Sequence, residues 1–231
     1  MDWVEDAKRR AALEAVKCVR DGFVVGLGSG STAAYAIEEI GRRVKEEGLH
    51  LLGIPTSYQS FLLAVKCGIP VTTLHEHPVI DLTIDGADQI DPVLNLIKGM
   101  GGALTREKIV AASSKRLIIV ADERKLTDKL GRGQTVPVEV LPFGVPLVSK
   151  RIREIGGKTI LREVGKGVPY VTDNGNFILD VDFGVIENPY KLNEILKMIP
   201  GVVETGLFLD MAHTAYVGTR TNVRKIDRAS S

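Results

Sequence analysis

Apolar and polar positions alternate along the first half of the chain with two different periods, which predict helices and strands in turn. Residues 4–19 have apolar positions at helical spacing and predict an amphipathic helix that ends at Asp21-Gly22. The run Phe23–Leu27 is apolar, as in a buried strand, and residues 33–45 return to helical spacing. Further helices are predicted at 57–66 and 103–112, and further strands at 69–74, 80–84 and 115–121. This alternation predicts a parallel, Rossmann-like sheet.

The pattern changes after Gly131. A strand at 136–140, a helix at 145–155, a strand at 158–164, two strands within 170–182, a helix at 188–199 and a strand at 202–204 follow the order of a ferredoxin-like fold. Strands at 206–209 and 215–218 are expected to return to the first domain. The sequence therefore predicts an α/β chain. Its Rossmann-like parallel-sheet domain, residues 1–130 plus 207–231, carries an inserted smaller α+β (ferredoxin-like) domain, residues 131–206.

Composition narrows the possible partners. The chain has 231 residues and a formal net charge of +1, which gives no reason to expect a nucleic acid or an acidic membrane surface as a partner. Cys18 and Cys67 lie in separate helical patterns without a CxxC motif, as unpaired thiols of a cytoplasmic protein do. The first residues lack the apolar segment of a signal peptide, and the chain has no apolar run of membrane-spanning length. Any anion site must therefore be local.

A glycine-rich turn, Gly28-Ser29-Gly30-Ser31-Thr32, joins the first strand to the second helix. Such a turn holds an anion well, because the first N–H groups of the helix and the helix dipole point at it. A dinucleotide fingerprint fails here, since counting from Gly26 places Ser31 at the third glycine, and a Walker loop would need Gly-Lys-Ser/Thr. One phosphate on a small ligand fits better. A helix capped by serine or threonine without any ligand is the alternative.

A second concentration of polar residues lies between Thr83 and Lys108. The segment Asp85-Gly86-Ala87-Asp88 follows a predicted strand, at the edge of an open α/β sheet where ligands bind. Lys98 precedes the glycine-rich segment 99–102, and Glu107 lies early in the next predicted helix. Lys125 follows the strand at 115–121 in the same way, although a surface lysine in a salt bridge is the alternative there.

Three segments together resemble the ribose-5-phosphate isomerase A family. They are DGAD at 85–88, KGMGGALTREK at 98–108 and GLGSGSTA at 26–33, in matching order and spacing. The resemblance covers nearly the whole chain and implies a cofactor-free isomerase that interconverts ribose 5-phosphate and ribulose 5-phosphate in the non-oxidative pentose phosphate pathway. It implies a sugar-phosphate substrate and a homodimer or homotetramer, and it places a phosphate-proximal lysine at Lys8, which would otherwise be a solvated helix residue. Met100 and Ser29 depart from the family, which usually has a small residue and a threonine there.

Moving a carbonyl between C1 and C2 of an open-chain sugar requires the removal of a carbon-bound proton. Either a metal supports a hydride shift, or a carboxylate base works with hydrogen-bond donors and a cation. His75 and His77 precede a proline without a third ligand nearby, so no metal site is predicted and the carboxylate route is favoured. Glu107 is the predicted base, and partial shielding is expected to raise its pKa.

The remaining site residues receive predicted roles in the same reaction. Asp85 and Asp88 would open the ring and orient the sugar hydroxyls, and Lys98 would offset negative charge on the enediolate or the phosphate. The amides of the glycine loop would form an oxyanion site. The residues predicted to bind substrate or its phosphate are Ser29, Gly30, Ser31, Thr32, Gly86, Ala87, Gly99, Met100, Gly101, Lys125 and Lys8.

Two other functions compete with the isomerase. A catalytically silent sugar-phosphate sensor would keep the phosphate turn without needing Glu107, but it would be expected to carry a DNA-binding helix-turn-helix, for which the chain has no spare segment. A CoA transferase of related architecture would use a glutamate as a nucleophile.

Overall fold

A computed structural model describes residues 3–229 of the chain. Its helices are α1 Trp3–Val16, α2 Ser31–Glu46, α3 Tyr58–Lys66, α4 Leu104–Ala112, α5 Val145–Glu154 and α6 Pro189–Lys197. Its strands are β1 Phe23–Leu27, β2 Leu51–Pro55, β3 Leu82–Gly86, β4 Gln89–Ile90, β5 Leu96–Ile97, β6 Leu117–Asp122, β7 Val136–Val140, β8 Lys158–Leu161, β9 Glu163–Gly165, β10 Val168–Pro169, β11 Phe177–Asp182, β12 Val202–Thr205, β13 Leu207–Phe208, β14 Thr214–Gly218 and β15 Val223–Asp227. No helix within residues 3–229 has both the length and the apolar character needed to cross a bilayer.

The chain divides into two compact units. The first contains the described residues up to Ala87, Arg106–Lys125 and the described residues from Met211. The second contains Asp88–Thr105 and Leu126–Asp210. The segment 88–105 therefore groups with the second unit, whereas the sequence-based division placed it in the first. The reason is local pairing, because β4 and β5 in this segment form a small antiparallel sheet with β13.

The first unit is built on one sheet with the strand order β15-β14-β6-β3-β1-β2. Its strands are parallel except β15, which is antiparallel to β14. β6 is buried along its whole length, as expected of an apolar strand covered on both faces. The α/β class and the Rossmann-like sheet are therefore confirmed. The predicted strand at 69–74 is reduced to one bridge between Val71 and Gly53, and β15 was not predicted.

The second unit contains a four-stranded antiparallel sheet in the order β12-β7-β11-β8, together with α5 and α6. Numbered by chain position, the sheet order is that of a ferredoxin-like fold, which confirms the predicted smaller domain type. The two strands predicted within 170–182 are one, β11. The residues before it form a turn around the buried carboxylate of Glu139, which accepts hydrogen bonds from Thr172, Asn174 and Asn176.

The segment at 206–209 was expected to form a strand of the first domain, residues 1–130 plus 207–231. It forms β13, which pairs with β5 inside the second unit. The strand predicted at 215–218 does lie in the first unit, as β14 beside β6. The difference arises because a two-residue strand is recruited by whichever edge is nearest, and this choice has no local sequence signal.

Asp122 ends β6 and links sheet stability to pH. Its side chain is buried, which opposes ionisation, but hydrogen bonds from the side chain and backbone N–H of Arg124 outweigh burial and lower its pKa. A carboxyl with a lowered folded-state pKa contributes fully above its unfolded value of about 3.9, and the contribution is lost as pH falls through the folded value.

We expect Asp122→Asn to lower the free energy of unfolding by about 2 kcal/mol at pH 7, measured by urea unfolding. The difference from the wild-type protein should shrink as pH falls below about 4, because the wild-type carboxyl then also loses its charge. Asp128→Asn is the matched control, since Asp128 pairs with Arg132 while both side chains are exposed, and it should change little. A difference that stays constant down to pH 2 would contradict the assignment.

Candidate active site

The glycine-rich turn lies between β1 and α2, with Gly30 as the N-cap residue of α2. Gly30 has φ +90°, a conformation that favours glycine, and it has no side chain with which to cap the helix. Ser31 is therefore the first helical residue, and the predicted alternative of a serine- or threonine-capped helix does not describe this turn. The first N–H groups of α2 are left for another acceptor, as an anion site requires.

Asp85 at the end of β3 is packed directly against this turn. Its side chain is 1% exposed, and its Oδ1 accepts hydrogen bonds from the backbone N–H of Gly86 at 2.7 Å and of Ser29 at 3.1 Å. A Cβ at Gly28 would lie 2.3 Å from that Oδ1 and 2.5 Å from the Asp85 Cα. Only glycine fits at position 28, so the turn and the carboxylate share one close contact.

The Ser29 hydroxyl is committed to neighbouring side chains. It donates to Ser57 Oγ at 2.6 Å and lies 2.7 Å from Thr56 Oγ1, and Ser57 in turn caps α3 by accepting from the Ser60 N–H. The sequence predicted only that a helix begins near Ser57. The contact of Thr56 and Ser57 with Ser29 follows from the pairing of β2 with β1, which the repeating strand and helix pattern could have suggested.

Lys8 is brought to the same turn from α1. Its Nζ lies 3.2 Å from Ser31 Oγ and 2.7 Å from Glu5 Oε1. Hydrogen bonds from Lys8 and from the Tyr35 hydroxyl lower the pKa of Glu5. Lys125 closes a short 3-10 helix, Glu123–Lys125, directly after β6, the neighbour of β3. Lys8 therefore contacts the turn directly, and Lys125 lies at the carboxyl edge of the sheet from which the turn extends.

Glu107 belongs to the first unit and is buried, with 5% of its surface exposed. The carboxyl end of α4 lies beside the start of β3, because Ile80 N–H donates to Ser113 O and Lys115 N–H donates to Ile80 O. Thr83 Oγ1 also lies 2.6 Å from Ser114 Oγ, so the middle of β3 lies beside the end of this helical segment. Glu107 is seven residues before Ser114, about 10 Å nearer the amino end of α4.

In the second unit, Asp88 and Lys98 flank a β-hairpin. β4 pairs with β5, with Gln89 opposite Ile97, and Asp88 N–H donates to Ile97 O at 2.8 Å. The residues just beyond the pair are cross-strand neighbours, so Asp88 and Lys98 lie side by side. Lys98 is 2% exposed, and its Nζ lies 5.3 Å from the centre of the Phe208 ring.

The glycine loop follows this hairpin as a tight turn. Gly99 and Gly102 have φ +105° and +83°, and Gly102 N–H donates to Gly99 O at 2.9 Å. The Met100 N–H donates to Asp88 Oδ2 at 3.0 Å. The Met100 side chain is 44% exposed, so its bulk lies outside the loop. The departure from the family at this position is therefore accommodated.

The predicted site residues fall into two sets, one in each unit. The first unit holds Lys8, Ser29, Gly30, Ser31, Thr32, Asp85, Gly86, Ala87, Glu107 and Lys125. The second unit holds Asp88, Lys98, Gly99, Met100 and Gly101. Within residues 3–229 no three His, Cys, Asp or Glu side chains are grouped as metal ligands. His77, singled out in the sequence, has its Nδ1 2.9 Å from Thr72 Oγ1.

Known proteins are similar to this chain in sequence and in fold. The family model of ribose 5-phosphate isomerase A (phosphoriboisomerase A) matches residues 52–222. The ribose-5-phosphate isomerase A of Methanosarcina acetivorans is 54% identical over 220 residues, which are 95% of this chain and 93% of that protein. A solved D-ribose-5-phosphate isomerase in complex with phospho-erythronic acid has a TM-score of 0.95 at 43% identity, covering 97% of this chain and 99% of that chain. Ribose 5-phosphate isomerase A from Methanocaldococcus jannaschii has a TM-score of 0.93 at 44% identity, covering 96% and 99%. The chain therefore belongs to the ribose 5-phosphate isomerase A family of isomerases.

Proposed function

We propose that this protein interconverts D-ribose 5-phosphate and D-ribulose 5-phosphate through an enediolate, without a cofactor. The observation that carries the proposal is the contact between Asp85 and the glycine-rich turn. A buried carboxylate, held by the N–H groups of Ser29 and Gly86, contacts the turn that leads into α2, and the first turn of a helix suits a phosphate. A sugar phosphate needs both groups, since its hydroxyls require an acceptor and its phosphate requires N–H donors.

The reaction begins with the open-chain aldose. A base removes the proton from C2, and the electron pair of the C–H bond forms a C1–C2 double bond while the carbonyl oxygen on C1 becomes negative. The proton on O2 moves to O1, and a proton returned to C1 completes the ketose, so no atom is gained or lost. We assign the role of base to Glu107, because its carboxylate can accept a proton and its side chain is shielded from water.

The other roles follow the same assignment. Asp85 is proposed to accept from a sugar hydroxyl and to shuttle the proton between O1 and O2. Lys8 and Lys125, with the N–H groups and hydroxyls of Ser31 and Thr32, are proposed to bind the phosphate. Binding the non-reacting phosphate holds C2 over the base and so lowers the barrier. Two residues of the second unit keep the roles predicted from the sequence. Asp88 is proposed to orient the sugar hydroxyls, and Lys98 is proposed to offset negative charge on the enediolate or the phosphate.

The contribution of the substrate's phosphate group to turnover tests the proposed function. We expect turnover of ribose 5-phosphate, and we expect unphosphorylated ribose to be turned over with kcat/KM lower by at least about 10²-fold, because several charge-assisted hydrogen bonds are lost. Coupled or direct assays of ribulose 5-phosphate formation, with and without EDTA, measure both. Binding of ribose 5-phosphate without turnover would favour the sensor, and loss of activity with EDTA would favour a metal mechanism.

Three further properties of the protein are predictions. They are action in the cytoplasm, a place in the non-oxidative pentose phosphate pathway, and assembly as a homodimer or homotetramer. The relatives' names support the pathway, since they are ribose-5-phosphate isomerases.

A further inference from the structure

We propose that Arg162, 63 residues after Gly99, is a positioning residue that sets the direction of the glycine loop's amide groups. The inference rests on the proposed function, because it concerns the oxyanion site assigned to that loop. Arg162 lies between β8 and β9, and no motif or resemblance identified it from the sequence. Its Nη1 donates to two loop carbonyls, Gly99 O at 2.9 Å and Met100 O at 3.0 Å.

These two contacts fix two peptide planes. In a trans peptide the C=O and the following N–H point in opposite directions, and the described residues contain no cis peptide bond. With the carbonyls of Gly99 and Met100 held at Arg162, the N–H groups of Met100 and Gly101 point away from it. The Met100 N–H indeed reaches Asp88 Oδ2, at 3.0 Å. Arg162 therefore aligns two N–H dipoles on the Asp88 side of the loop.

Arg162 is itself rigidly held. Its Nε and Nη2 form a fork with both oxygens of Asp180 on β11, at 2.9 and 2.5 Å, and its side chain is 12% exposed. Its backbone N–H donates to Ile178 O, and its backbone C=O accepts from Tyr170 N–H. A planar guanidinium that already binds Asp180 has few rotamers left to lose when it also binds the loop carbonyls. The loop is therefore held in one conformation before substrate binds, as preorganisation requires.

Tyr170 supports the same arrangement from the other end of the loop. Its ring centre lies 5.9 Å from the Arg162 guanidinium carbon, and its hydroxyl lies 3.4 Å from Gly101 O. A Cβ at Gly102 would lie 2.3 Å from that hydroxyl oxygen, so the loop closes directly onto the tyrosine. The guanidinium and the phenol together hold three successive carbonyls, those of residues 99–101, while the Met100 N–H is directed at the Asp88 carboxylate.

Steady-state kinetics of Arg162→Lys test the inference. Lysine keeps the charge but cannot hold Asp180 and two carbonyls at once. We expect kcat to fall about 10²-fold, the effect of a displacement of about 1 Å at a reacting centre, while KM for ribose 5-phosphate changes by less than about threefold. Arg151→Lys is the matched control, because Arg151 is an exposed arginine paired with Glu154 on α5, and it should keep the wild-type kcat.

A double-mutant cycle with Asp88→Asn separates positioning from general support of the fold. If Arg162 acts through the Met100 N–H and Asp88, Arg162→Lys should cost less than about threefold in the Asp88→Asn background. The same 10²-fold loss in both backgrounds would overturn the inference. If Arg162→Lys does not fold, as judged by its thermal midpoint, Asp180→Asn replaces it, with an expected loss of about 10-fold in kcat. Full activity in the folded variant would also overturn it, whereas an inactive wild-type protein would refute the proposed function instead.

Discussion

Glu107→Gln is expected to lower kcat for ribose 5-phosphate by about 10²- to 10⁴-fold, the usual contribution of a general base. Glutamine has nearly the same shape and should keep the packing of this buried side chain, but it cannot accept the C2 proton. KM should change by less than about threefold, because the phosphate contacts are untouched. Initial rates of ribulose 5-phosphate formation give both constants.

Isotope exchange makes this test specific. In deuterated water the wild-type protein should introduce deuterium at C1 of ribulose 5-phosphate whenever the abstracted proton exchanges with solvent, and Glu107→Gln should lose this incorporation together with turnover. Glu14→Gln is the matched control, since Glu14 is a partly exposed glutamate paired with Lys17 on α1. Glu107→Gln with wild-type kcat would remove Glu107 from the role of base.

The parts of the site that the sequence predicted are those with strong local signals. The glycine-rich turn could be located because two glycines and three hydroxyl residues between an apolar strand and a helical pattern have few structural uses. Asp85 and Lys125 could be placed at a common edge, because parallel strands end on the same side of a sheet. In the structure β3 and β6 are neighbouring parallel strands, so Asp85 and Lys125 follow the carboxyl ends of adjacent strands, and their roles in the site stay predictions.

The parts that the sequence did not predict depend on contacts between distant residues. The hairpin that brings Asp88 beside Lys98 has strands of two residues each, too short for a period to be recognised. The contact of Arg162 with the glycine loop joins residues more than 60 positions apart and depends on the order of strands in the second unit. For the same reason the predicted domain boundaries differ from the compact units at residues 88–105, where β5 pairs with β13.

Gly28→Ala is expected to damage both stability and activity. The new methyl carbon would lie 2.5 Å from the Asp85 Cα, and backbone in the middle of a paired sheet cannot move aside as a flexible side chain can. We expect the free energy of unfolding to fall by about 1–3 kcal/mol, the cost of overpacking, measured by urea unfolding. We expect kcat/KM to fall by about 10²-fold, because relief of the overlap moves Asp85 relative to the turn.

Two further variants identify the cause. Gly101→Ala is the control for stability, because Gly101 has no positive φ and a Cβ there would meet nothing within 4 Å, so its free energy of unfolding should change by less than about 0.5 kcal/mol. Adding Asp85→Ala to Gly28→Ala removes the carboxylate overlap at 2.3 Å but keeps the overlap with the backbone, so stability should recover only in part. A Gly28→Ala protein with wild-type stability and kcat/KM would show that the turn and the carboxylate can separate without consequence. The close contact between Gly28 and Asp85 would then not be needed for a sugar phosphate to react, which would contradict the proposed function.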